Sequence, residues 1–504
     1  MDQVKIPAWL ILDKKYTRFF YALTLLFGLY VLPIILADRY YQDDLSRSLR
    51  GITGWNNDGR PLTEWILKWL CGGTPIGDIF PLTLLLSVIV LAYVLTLYIR
   101  HNLPGSYPLF LLLAIGFLVP ANPFMLSSLS YRFDCITMVL ALCGAIIVYA
   151  LPVQYPLWKV FGICFLACMI LLTTYQPCCG IYIALGALEL LFMFRDSSIR
   201  FTRIIVRAGA LCASVLVYYF IIMKHYIPDA GWQKSAYQFS FSSEPGFFAS
   251  ALQNLLLFWK QIDNYLASVP TPVLAAFAIL LAGSMLCLAV QIGRSRQPYR
   301  ILKLGYAILL PILVMGGCML PLFVLTPSNF SISAHSLIAL CGFGLWEGVM
   351  LSFLPRRFDK FTAILLLPCM LFCFTFSYTY GNALKSQARY EDYLTYQIVH
   401  DLDILNADGQ YQYLTINGRA PHSPETGMLC SKYPLLKHLI PVYITNNGYI
   451  GGAQLQHYLQ YDLAHEGMSE ETETLFQNTT PVLHNAVYDC YTDTDTIIIN
   501  FHKE

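Results

Sequence analysis

Two adjacent carboxylates, Asp43 and Asp44, open the most charged stretch of the chain, DDLSRSLRG, and Arg47 and Arg50 follow them at helical spacing. Asp43 stands at i,i+4 from Arg47, Asp44 at i,i+3 from Arg47, and Arg47 at i,i+3 from Arg50, so neighbours on a helix could pair for about 0.2–0.5 kcal/mol each. A solvated helical turn laced with ion pairs would use these residue types in the same way. A second use is chemical. A carboxylate can take the proton from a hydroxyl as it attacks an anomeric carbon, and a forked guanidinium can hold a phosphate whose charge develops as it leaves. That combination suits inverting glycosyl transfer from a lipid-linked phosphate sugar: one base is needed, as in inverting glycosidases, and a phosphodiester leaving group needs cations rather than an acid.

The elements around this stretch place it at a membrane. The 504 residues are 56% hydrophobic and only 12% charged, with a mean hydropathy of +0.54, against about 25% charged residues in soluble domains. This is the composition of a polytopic α-helical membrane protein. Apolar windows long enough to span begin near Arg18, Ile79, Tyr107, Phe133, Trp158, Cys179, Ile204, Thr271, Leu304, His335 and Phe361, roughly eleven in all. Several are short or broken, notably the third and the junction TYQPCC between the fifth and sixth. Arginine and lysine recur in alternate connections, at Arg100, Lys159, Arg195 to Arg207, Arg294 to Lys303 and Arg356 to Lys360, which predicts a cytoplasmic N-terminus and a tail on the other side. Segments 38–77, 121–134, 224–270 and 326–335 would then open on that same outer face. In the first of them Pro61 suits a helix start, and Leu62, Trp65, Ile66, Trp69 and Leu70 follow at helical spacing, which predicts an amphipathic helix in the membrane interface holding the Asp43/Asp44 turn at headgroup level.

The organisation expected is a transmembrane domain over residues 1–379, with its catalytic first loop at 38–77, and a small α/β domain over 380–504. The tail is acidic, and its QARYEDYLTYQIVHDLDIL and GGAQLQHYLQYDL read as helices, its YQYLTING and DTIIINF as strands. Cys430 and Cys490 are its only cysteines and could pair outside the cytosol. The fifteen cysteines show no CxxC spacing, which argues against a metal site, and a net charge of +1 gives no field for nucleic acid. No cofactor is expected beyond the lipid-linked donor as substrate.

Further candidates have both structural and chemical readings. Arg132 and Asp134 in YRFD, beside Tyr131, could end a span as an ion pair, or could meet a donor phosphate and sugar hydroxyls respectively. Asp58 and Arg60 suit a turn fixing the interface helix. Tyr175 and Gln176 could bond a sugar or satisfy a Pro-broken helix end, and His335 sits at an external span end. Lys224 and His225 open the largest middle loop. Glu189 and Glu347 fall inside predicted spans and read as helix-packing or interface residues.

DDLSRSLRGITGWNNDGRPLTEW resembles the first-loop signature of the type II serotype-converting glucosyltransferases that add glucose to O-antigen, with SSLSYRFDCITM and TTYQP similar to two further landmarks. In architecture the resemblance covers nearly the whole chain; in motifs it covers about the first 180 residues. It implies a GT-C-type enzyme of the bacterial inner membrane, taking glucose from polyprenyl-phosphate glucose on the periplasmic side to lipid-linked O-antigen, and working with a donor synthase and a donor flippase. The family's acidic pair falls on Asp43 and Asp44, with Asp44 favoured as base and Asp43 orienting the acceptor or an arginine. A flippase for a lipid-linked sugar, a non-catalytic scaffold, and a transferase using another donor sugar are the rival expectations; neither internal repeats nor a midplane charge cluster supports the flippase.

Overall fold

A computed structural model describes residues 7–103, 105–196, 201–227, 246–294, 299–325, 332–446, 448–466 and 479–502. Its contacts divide the chain into two compact units, one of Met1–Leu32, Gly54–Leu70 and Ile79–Tyr378, the other of Pro33–Thr53, Cys71–Asp78 and Thr379–Glu504. The first loop is thus shared out between them.

Among the described residues eight helices are long and apolar enough to cross a membrane: Lys14–Ala37, Leu82–Asn102, Leu157–Thr174, Phe201–Tyr226, Thr271–Arg294, Arg300–Phe323, Ala334–Leu351 and the start of Arg356–Leu405. Of the other three windows, those at Phe133 and Cys179 hold the apolar helical stretches Cys135–Ala150 and Gln176–Phe192, the second continuing as helix to Asp196. The window at Tyr107 yields only the nine residues Leu109–Phe117, flanked by Pro108 and Pro120. At roughly 1.5 Å per residue that helix is about 13 Å long, against a hydrocarbon core of about 30 Å.

Small residues set the closest helix packing in the first unit. Cys179–Asp196 lies against Arg300–Phe323, and a Cβ on Gly180 would fall onto the Cys318 carbonyl, while one on Gly317 would come within 3.0 Å of the Ala184 backbone. Backbones this near are how helices gain contact where lipid supplies no hydrophobic drive. Glu189, read as a helix-packing or interface residue, is buried, and both its carboxylate oxygens accept from Nη1 of Arg207, whose Nη2 donates to Val148 O at 3.0 Å. Arg203 and Arg207, expected in a connection, are therefore corrected to buried positions inside Phe201–Val217; Arg203 donates to the carbonyls of Pro152 and Val153 at 3.0 and 2.8 Å.

Two of the segments placed on the outer face carry helices. Residues 121–134 contain the helix Pro123–Leu129, all of it buried, with Asn122 Oδ1 accepting from Phe124 N at 2.9 Å as its cap. Within 224–270 the helix Phe247–Ser268 runs for 22 residues; residues 228–245, like 326–331 of the TPSNFSISAH turn, lie outside the described residues.

The second unit is α/β. Five strands, β1 (Tyr413–Asn417), β2 (Ala464–Glu466), β3 (Leu483–His484), β4 (Tyr488–Asp493) and β5 (Thr496–Phe501), form one sheet in the order β2-β1-β5-β4-β3. β1 runs parallel to β2 and β5, and β4 antiparallel to β3 and β5. Leu394, Ile398 and Leu402, one face of the end of Asp359–Leu405, pack on Leu414, Ile416, Ile497 and Ile499. Cys430 and Cys490 are both free buried thiols, so the pairing that the sequence left open is not made.

Gly180→Val should lower the stability of the detergent-solubilised chain by about 1–3 kcal/mol, because an overpacked helix contact must shift backbone. Gly162→Ala, on a helix with open space at that position, should leave the melting midpoint within error or raise it.

Candidate active site

The acid turn belongs to the second unit. Asp43 and Asp44 begin the helix Asp44–Arg50, and Gly51 ends it at φ +59, a left-handed cap that glycine adopts without strain. Adjacent helix positions point about 100° apart, so the two carboxylates meet different surroundings. Asp44 is fully buried, whereas the Asp43 side chain is 47% exposed and lies 3.3 Å from Arg47 Nη1 as an i,i+4 pair. Arg47 is itself buried and Arg50 is exposed.

Contacts from distant sequence fix this turn. Arg39, four residues before Asp43, donates to Glu391 Oε2 and to Pro441 O at 2.8 Å, with both ions almost wholly buried. The other Glu391 oxygen accepts from Tyr443 N at 2.7 Å, and the Arg39 guanidinium lies 4.4 Å over the Tyr443 ring. Tyr443 Oη donates to Tyr40 O at 2.7 Å and accepts from Gln42 N at 2.9 Å, so one side chain holds the backbone on both sides of Tyr41. Burial pushes the Tyr443 hydroxyl above the ordinary tyrosine range, which keeps it a donor. Leu45 packs on Tyr443 and Ala453, and His457 stacks on Tyr40 with Nε2 3.1 Å from Leu45 O and 3.4 Å from Ser48 Oγ.

In the first unit the structure brings together most of the remaining candidates, around Arg60. Residues 55–60 close a turn in which Arg60 N donates to Trp55 O at 2.8 Å, and Pro61–Leu70 begins at once. Arg60 Nε donates to Gln176 Oε1 at 3.3 Å, its guanidinium lies 4.7 Å over the Tyr175 ring, and its Nη1 is 3.9 Å from Asp134 Oδ2. That same Asp134 oxygen accepts from Trp55 Nε1 at 3.2 Å. Gln176 Nε2 donates to Tyr218 Oη at 2.7 Å and to Asp58 O at 3.2 Å, so Asp58 takes part through its backbone.

Tyr175 Oη donates to His335 O at 3.1 Å, and Tyr131 Oη lies 3.4 Å from His335 Nδ1. Arg132 stacks 4.5 Å over Phe80, with its carbonyl accepting from Thr83 Oγ1 at 2.6 Å. On Pro61–Leu70, Trp65 and Trp69 are exposed, while Leu67 and Glu64 are buried; Glu64 Oε2 accepts from Asn56 N at 3.0 Å.

Sequence reasoning missed Arg39, Trp55, Tyr218, Glu391, Tyr443 and His457. Trp55 lay inside the quoted first-loop signature. For the Arg39–Glu391 pair no local signal exists, since 352 positions separate its members.

The fold and these polar clusters define a polytopic helical membrane protein that carries paired acid and arginine groups. A family model described as "Glucosyl transferase GtrII" matches residues 32–346, well over half of the chain. The chain belongs to this glucosyltransferase family, as its first-loop signature implied, and the match takes in every residue from Asp43 to His335 named above. The chain is also similar to a protein of Salmonella phage P22 described as "Uncharacterized 55.3 kDa protein in gtrB 5'region", 26% identical over 508 residues, covering 97% of this chain and 99% of the phage protein. No solved structure matches.

Arg39→Ala leaves Glu391 buried without its ion partner and should cost about 3–5 kcal/mol, read as a lower melting midpoint, with Glu391→Gln less damaging because it keeps an acceptor for Tyr443 N. Asp134→Ala should cost about 1–3 kcal/mol by removing the acceptor of the Trp55 indole, while Asn57→Ala, at an exposed turn position, should change the melt little.

Proposed function

We propose that the chain is an inverting GT-C-type transferase that moves glucose from polyprenyl-phosphate glucose to lipid-linked O-antigen at the periplasmic face of a bacterial inner membrane, converting the serotype of the lipopolysaccharide. The observation that carries this reading is the short helix Asp44–Arg50, at whose start Asp44 is buried and Asp43, the residue before it, is half-exposed beside Arg47, with Arg50 about one turn further on. Family membership supports the transfer of glucose. The alternation of basic connections supports a cytoplasmic N-terminus and a periplasmic tail.

Asp44 is the base in this reading. The acceptor hydroxyl gives its proton to the carboxylate as its oxygen attacks the anomeric carbon, the bond from that carbon to the phosphate oxygen breaks, and polyprenyl phosphate departs. Asp43 keeps its pair with Arg47 and so sets the angle of that guanidinium. Arg47 and Arg50 answer the charge that grows on the phosphate. In a shell partly closed to water such a charge pair is worth more than it would be in solvent.

The test is the mass of O-antigen from cells that make polyprenyl-phosphate glucose. The parent chain should add one hexose per modified repeat. Asp44→Asn, at equal abundance, should lower transfer by about 10²–10⁴-fold, and Asp43→Asn should lower it less. Persistence of the hexose in Asp44→Asn would move the base elsewhere, and no hexose from the parent would assign a different donor or a non-transferase role.

A further inference from the structure

In the α/β unit, strand register assembles a group of side chains that the acid turn does not use. Asn417 of β1 pairs with Asn500 of β5, Asn500 with Asp489 of β4, and Asp489 with His484 of β3. Directly opposed residues share a face of a sheet, as do positions two apart on one strand. The four therefore form one polar row across four strands. His502, two residues beyond Asn500 and tied by its backbone N to Val487 O at 3.0 Å, falls on the same face. The opposite face carries Tyr488, Cys490, Ile497, Ile499 and Phe501 into the core.

At the β3 end of this row His484 Nδ1 lies 2.6 Å from Asp489 Oδ1, and His502 Nε2 lies 3.2 Å from Asp489 Oδ2. One ligand atom from each of the three residues falls within 4.8 Å of the others. Two imidazole nitrogens and one carboxylate oxygen make a donor set that suits zinc and its neighbours in the first transition row rather than magnesium or calcium, which prefer all-oxygen shells. The ligands come from elements already braced by ladder hydrogen bonds, so only side-chain rotation separates the hydrogen-bonded trio from a coordinating one. Asn417 Nδ2 donates to Asn500 Oδ1 at 2.7 Å, which braces the row beside Asp489.

We infer that His484, Asp489 and His502 form a binding site for a divalent transition-metal cation of the zinc class, with solvent completing the tetrahedron. The site joins the β3 hairpin to the end of β5, which makes it a structural clip on the sheet edge, separate from the acid turn.

The test is calorimetric titration of ZnCl2 into the untagged full-length chain in detergent after chelator treatment, beside the double variant His484→Ala/His502→Ala and the milder His484→Gln. The parent should bind one equivalent that MgCl2 does not compete away, and zinc should raise its melting midpoint. The double variant should bind at least about tenfold more weakly, since even loss of a group supporting a ligand costs about 10–100-fold, and should show no zinc-dependent rise. Absence of zinc binding at micromolar concentration by the parent overturns the site, as does equal binding by the double variant. His484→Gln leaves the sheet core untouched, so unchanged affinity there would remove His484 from the ligand set even if the double variant folded poorly.

Discussion

The buried Arg39–Glu391 ion pair is the constraint on which the acid turn depends. Taking two charges out of water costs several kcal/mol for each ion, and only good geometry with further hydrogen bonds returns it. Here the return is visible: Pro441 O takes a second guanidinium bond, Tyr443 N supplies a donor to the carboxylate, and the Tyr443 ring lies under the cation. Because Tyr443 also grips the backbone at Tyr40 and Gln42, the charge pair and the start of the Asp44–Arg50 helix are coupled through one side chain. The tail is thus part of what shapes the first loop. A chain truncated before Glu391 would keep Asp43 and Asp44 but lose the partner of Arg39.

Arg60 shows the same economy among the membrane helices. A polar side chain in an apolar surround must find partners within the protein, and this guanidinium finds a carboxylate on one segment and an amide oxygen and an aromatic face on another. The segment TYQP supplies two of them because it lies where Leu157–Thr174 ends and a 3-10 turn follows, a place that leaves polar groups in need of partners. The break that a proline imposes on a span and the polar cluster around it are consequences of one local event.

Much of this was legible in the sequence because it is periodic or short in range. The apolar windows located the long helices, the i,i+4 spacing located the Asp43–Arg47 pair, and PLTEWILKWL announced a helix with two exposed tryptophans. What could not be read depends on pairing across distance. Nothing near Cys430 or Cys490 shows that one sits on a short helix and the other on β4, each buried as a thiol. β2 and β3 are three and two residues long, too short for any alternation to register, and YDCYTD of β4 is polar enough to pass for a loop. The histidines beside Asp489 escape a motif search for the same reason: register across strands, rather than spacing along the chain, brings them together.

The division of labour between Asp43 and Asp44 follows from helix geometry. Two identical side chains in sequence would be interchangeable on a flexible loop. On a helix held at one end by Arg39 and stopped at the other by Gly51, one faces inward and the other meets solvent and Arg47. Swapping the roles would require turning the helix by about 100°, which would draw Leu45 away from Tyr443 and Ala453. The hydrophobic contact of Leu45 therefore helps to hold the helix at the angle that buries Asp44 and leaves Asp43 half-exposed beside Arg47, so an apolar residue with no chemistry of its own sets the surroundings of the two acids.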